Sequence, residues 1–260
     1  MTKRKVLLEK KGAIAIVTIN NPPVNALDAQ VNAELGQVFD ELKAANEVLA
    51  VVVTGAGEKA FMAGADISQF LDLKDAAAGK AFLTKLHMTY NKIAGFPCPV
   101  ICAINGFAFG GGLELALACD IRIITDNTKV GLPEVSLGIY PGVAGTQRLP
   151  RVVGPGMAKK LIFTGSPIDA VEAYRIGLCD QIVSAGTVLD EAVSMAETIA
   201  ARGPAAVRAA KKVINEGIEL DLNSALALEV AEWGKLCETR DKEEGTKAFL
   251  EKRKPSFQGK

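Results

Sequence analysis

Val100 to Asp120 reads VICAINGFAFGGGLELALACD, and its parts change character in a fixed order. VICAI is short, apolar and rich in β-branched residues, as a buried strand is. Gly110-Gly111-Gly112 follows, and then LELALAC, whose apolar residues cover every side of a helix. Such a helix is buried all round. A buried strand feeding a buried helix through glycines is the unit of an α/β domain.

The same alternation extends outward. Ala13 to Ile19, Leu49 to Thr54 and Ile121 to Ile124 read as further buried strands, bounded by Gly, Pro, Asn or Asp. Asp28 to Asn46 and Ala76 to Ile93 carry helical spacing between them. After about residue 185 the strand signal stops. Val188, Ala192, Met195 and Ile199 share one helical face, and Gly203-Pro204 then marks a stop and a new start. Asp241 with Glu244 reads as a capping box for a last helix ending before Pro255. The division is placed as an α/β core over residues 1–200 and a helical module over 201–260.

Thirty basic and thirty acidic residues cancel, so no overall field holds nucleic acid or an anionic membrane. The charged start, MTKRKVLLEKKG, is no signal-peptide core, and nowhere do 18 apolar residues run together. A soluble cytoplasmic protein is expected. The five cysteines are odd in number and scattered, as reduced thiols are, and the single histidine, His87, sits in a helix-like stretch. Neither a disulfide framework nor a metal site is expected.

The first N–H groups of the helix after the glycines have no internal partner, and its dipole adds positive charge there. An anion or developing oxyanion would be stabilised near Gly111. Glu114 lies inside the apolar run; a carboxylate there must be paired, protonated or at a cavity, although a Glu at a helix start also suits the dipole. GLPEVSLGIYPG places Glu134 in a second apolar, glycine-punctuated loop, as a capping glutamate or as the other half of an acid/base pair. A rival signal is Gly55, Gly57 and Ala60, which satisfy a loose G-x-G-x-x-A dinucleotide fingerprint. Its acidic partner would be Asp75, in a helix start rather than at a strand end.

KAFMAGADI (Lys59 to Ile67), INGFAFGGGLELALACD (Ile104 to Asp120), GLPEVSLGIYPGVAGTQRLPRVVG (Gly131 to Gly154) and the late EKRKPSF together resemble the crotonase, or enoyl-CoA hydratase/isomerase, family. The resemblance implies a spiral of ββα repeats followed by helices that build a homotrimer or homohexamer. It implies an acyl-CoA substrate, with coenzyme A as part of the substrate and no separate cofactor. The thioester oxygen would rest between the N–H groups of Ala65 and Gly111. Glu114 and Glu134 match the two carboxylates of the hydratase branch, which adds water across the 2,3 double bond of a trans-2-enoyl-CoA; an isomerase keeps the fold and changes the reaction. Lys59, Ala63 and Asp66 match positions near the nucleotide, though Ser68 stands where relatives often carry Lys. Phe249 and Lys252 match positions that reach a neighbouring subunit's ligand. Trp233 and Tyr140 are assigned to the acyl pocket.

Overall fold

A computed structural model describes residues 3–259. Strands β1 (Val6–Lys11), β2 (Ile14–Ile19), β3 (Ala50–Gly55), β5 (Val100–Ile104), β7 (Ile121–Thr125) and β10 (Gln181–Val183) form one sheet in the order β1-β2-β3-β5-β7-β10. All neighbours are parallel except the β1–β2 hairpin. Strands β4 (Ala60–Met62), β6 (Phe107–Phe109), β8 (Lys129–Gly131) and β9 (Ile168–Asp169) form a second, smaller sheet in that order.

The chain alternates between the sheets. It runs β3, β4, then helix α2 (Ala76–Ala94); β5, β6, then α3 (Gly111–Ala118); and β7, β8, then α4 (Gly145–Val153). Each turn of this spiral stacks on the last through parallel pairing, β3 to β5 to β7 and β4 to β6 to β8. Asn105 links two turns: its side-chain oxygen accepts from Gly55 N at 3.1 Å and its amide donates to Gly55 O at 2.9 Å. The expected α/β architecture is therefore present as a ββα spiral.

Both faces of the large sheet are covered, which is why its strands are apolar throughout rather than alternating. Ala15, Val17, Val51 and Val53 face a core shared with Leu35 and Phe39 of α1 (Ala29–Ala45) and with α2 and α3. Ile14, Ile16, Val52 and Ile101 face α7 (Val188–Ala200) through Val188, Ala192 and Ala196. Of the expected face, Val188 and Ala192 are thus buried, with Met195 and Ile199 packed beside them.

Helix α1 is capped at both ends, Asp28 accepting from Val31 N and Asn46 closing the far end in the left-handed region. The capping-box expectation fails for α10 (Arg240–Leu250). Thr239 is its N-cap and accepts from Lys242 N, while both oxygens of Asp241 accept from the tail, at Gln258 N and Gly259 N. The helix stops at Leu250, well short of Pro255. Helices α5 (Pro155–Thr164) and α6 (Ala170–Arg175) complete the core, and α8 (Pro204–Gly217) packs on α9 (Leu222–Leu236) beyond it. Among the described residues no helix is long and apolar enough to cross a membrane.

Candidate active site

A cavity of about 560 Å³ opens between the start of α3, the loop Pro133–Val143 and the inner face of α2. Ala63, Ala65, Gly111, Glu114, Glu134 and Tyr140 all line it, so residues named from separate motifs meet in one place.

Gly110 sits between β6 and α3 with φ +53° and ψ −125°, a turn that a side chain would strain. A Cβ there would also lie 2.8 Å from Glu134 Oε1. Gly111 begins α3 and is followed by Gly112, which packs directly on the Met62 backbone with no room for a Cβ. This close seating of α3 on β4 brings the Gly111 backbone beside Ala65; a Cβ on Gly111 would lie 4.0 Å from Ala65 N. Ala65 is held by the bridge to Leu27, where Leu27 N donates to Gly64 O and Asp66 N to Leu27 O. Neither the Ala65 nor the Gly111 N–H has a hydrogen-bond partner among the described residues. Two unpaired donors side by side at a helix start suit an oxyanion.

One turn into α3, Glu114 is 1% exposed. Its Oε1 accepts from Gly145 N at 2.7 Å, the first residue of α4. Burial drives its pKa up to about 8, the charge of Glu134 adds to the rise, and the backbone N–H groups of Gly145 and Val143 with the Arg148 guanidinium oppose it. Glu134 opens a short 3₁₀ turn (Glu134–Leu137) after Pro133. Its pKa is driven up to about 7 by burial, and its Oε2 is buried without a partner. A buried carboxylate oxygen lacking a hydrogen bond is costly unless a ligand group meets it.

The remaining candidates fall into two groups. Ala63 lines the cavity, but Lys59 is exposed on its approach to β4 and lies outside the lining. The Asp66 carboxylate caps the following 3₁₀ turn (Ile67–Asp72), accepting from Ser68 N at 3.1 Å and Ser68 Oγ at 2.7 Å. Ser68 is thus engaged in that cap. Trp233 on α9 is 66% exposed and Phe249 on α10 is 83% exposed. Neither they nor Lys252 line this cavity.

From the sequence, Phe70, Leu71, Leu73, Phe82 and Leu86 read as pocket lining or as helix core; the fold places Phe70, Leu73, Phe82 and Leu86 on the cavity and leaves Leu71 exposed. Tyr90 is fully buried, and its phenol donates to Gly111 O at 2.9 Å. His87, one turn earlier, lies 2.6 Å through Nε2 from Gly142 O and ties α2 to the loop that leads to Gly145. Among the described residues no cluster of three or more His, Cys, Asp or Glu is placed to hold a metal.

Fold and site together define a scaffold for acid–base chemistry beside a developing oxyanion. The family model for enoyl-CoA hydratase/isomerase matches residues 9–260, and the chain belongs to that family. It is 45% identical to the short-chain-enoyl-CoA hydratase of Clostridium acetobutylicum over 98% of this chain and 97% of the relative. It is 43% identical to the crotonyl-CoA hydratase of Syntrophomonas wolfei over 99% of both. Among solved structures, an enoyl-CoA hydratase from Bacillus anthracis superposes with a TM-score of 0.94 at 38% identity, covering 98% of this chain and all of the other.

Proposed function

We propose that this chain is an enoyl-CoA hydratase, adding water reversibly across the 2,3 double bond of a trans-2-enoyl-CoA to give a 3-hydroxyacyl-CoA. The observation that carries the reading is the convergence of buried Glu114 and half-buried Glu134 with two unpartnered backbone N–H groups in one apolar cavity. The relatives' hydratase names point the same way.

In this mechanism the thioester oxygen accepts from Ala65 N and Gly111 N, which polarises the enoyl group and holds enolate charge as it develops. Glu114 orients the water and takes its proton as oxygen bonds to C3. Glu134 supplies the proton that arrives at C2. Burial raises both carboxylates, to about 8 for Glu114 and about 7 for Glu134, so near neutrality the coupled pair holds about one proton; in the free site that proton favours Glu114, and hydration requires it on Glu134 so that Glu114 is free to act as the base. Every proton moves between protein, water and substrate, and coenzyme A enters only as part of the substrate.

The homotrimer or homohexamer belongs to the same proposal. Ile214, Ile218, Leu222, Val230 and Trp233 leave apolar surface on α8 and α9 that a second copy would cover, and Phe249 and Lys252 would then serve a neighbour's ligand. A cytoplasmic location is supported by the five free cysteines, which are ordinary in a reducing compartment.

The test is steady-state hydration of crotonyl-CoA by Glu114→Gln, Glu134→Gln and the double variant. Each single should lose on the order of 10²-fold or more in turnover. The double should be little worse than the poorer single, because the groups act as a unit. Near-wild-type hydration by either single, or retained isomerisation of a 3-enoyl-CoA by a variant that no longer hydrates, would move the chain to another branch of the family.

A further inference from the structure

The inner face of α2 runs the length of the cavity. Gly79, Phe82, Leu83 and Leu86 all line it, and Tyr90 continues the same face; spacings of three, four, seven and eleven place these residues on one side of a helix. The face has a direction. Tyr90 marks the oxyanion end through its bond to Gly111 O at 2.9 Å. Leu83 lies further along and meets the loop beside the carboxylates: a Cβ on Gly142 would be 2.8 Å from Leu83 Cδ2, and Gly145, three residues later, binds Glu114. Gly79 is one turn beyond Leu83, roughly 16 Å from Tyr90 along the helix axis at 1.5 Å per residue. An acyl chain leaving the oxyanion site and passing the carboxylates heads toward it.

Nothing local requires glycine at 79. Its backbone is not among those with positive φ, and a Cβ built on it meets no atom within 4 Å. Ala76, Ala77 and Ala78 precede it, and alanine is the better helix former. What the missing side chain supplies is room, at the far end of a cavity otherwise walled by Phe70, Leu73 and Phe82.

We propose that Gly79 determines the length of acyl chain this site accepts, leaving space for a medium-length chain that any larger side chain at 79 would shorten. The identity of the ligand rests on the hydratase reading.

The test compares wild type with Gly79→Ala and Gly79→Leu, using the dissociation constants of butyryl-CoA and decanoyl-CoA by calorimetry. These saturated thioesters cannot be hydrated, so binding is measured without turnover. In parallel, the ratio of kcat/KM for trans-2-decenoyl-CoA to that for crotonyl-CoA is taken. Gly79→Leu should weaken decanoyl-CoA relative to butyryl-CoA by roughly tenfold or more, as overfilling a packed site does, and should lower the kcat/KM ratio similarly, with Ala intermediate. If Leu does not fold, Gly79→Val carries the same comparison. A wild type that fails to bind decanoyl-CoA, or variants that change both lengths equally, would overturn the proposal. A wild type that hydrates no enoyl-CoA yet binds decanoyl-CoA in a Gly79-dependent way would sink the hydratase reading and support this one.

Discussion

Glu114 ties activity to instability in a single residue. Its folded pKa of about 8 stands above the ordinary 4.5, so between those values the native state holds a proton that the unfolded chain has released. Stability therefore falls as pH rises through that window and has lost this contribution above about 8. Glu114→Gln, which has no proton to lose, should be more stable than wild type by on the order of a few kcal/mol at pH 8.5, with the gap closing toward pH 4.5; urea unfolding at a series of pH values measures it. The same tuning fixes the activity profile. Hydration should peak between flanks near 7 and 8, because at lower pH both carboxylates are protonated and no base remains, while at higher pH both are ionised and no acid remains. A kcat/KM profile flat from pH 6 to 9 would contradict it. Glu114 was legible in the sequence because a charge inside LELALAC conflicts with its neighbours. Gly145 and Tyr90 were not, since each meets a partner at least 21 positions away in sequence.

Helix α2 does more than wall the cavity. The Tyr90 phenol fixes the first residue of α3, the element that presents both the Gly111 N–H and Glu114. Tyr90→Phe should fold and bind substrate with little change in KM, yet lose several-fold to roughly tenfold in kcat, the value of one buried hydrogen bond. A structural role alone would lower Tm and leave the substrate electronically unchanged. The distinguishing readout is the carbonyl stretch of a bound hexadienoyl-CoA, whose shift on binding should shrink in the variant. Strands β2, β3, β5 and β7 and helices α1, α2 and α3 were readable because period and composition have room to show. β4, β6 and β8 have three residues each, too few for any period, and they are the strands that build the site. β1 was hidden among charges because one of its faces is exposed. The last helix was misread at its cap because Thr239 and Asp241 are both good caps and only the path of the tail selects between them.

For the whole molecule, sedimentation at micromolar concentration should give a trimer or a hexamer of a 27.4 kDa chain; a monomer would remove any cross-subunit role for Lys252. Strand and helix alternation was legible, but the two-sheet spiral came only through family resemblance, because nothing in one strand's composition says which distant strand lies beside it. That non-locality has a kinetic consequence. In the large sheet only β1–β2 is joined by a tight hairpin; Ile14 must find Ala50, Val51 must find Val100, and Gln181 must find Ile123. Each pairing closes a long loop before it gains a bond, and chains dominated by such pairings fold slowly. Refolding should therefore be slow, and while it proceeds the apolar edges of β3 and β5 stand open to other chains, so its yield should fall as protein concentration rises.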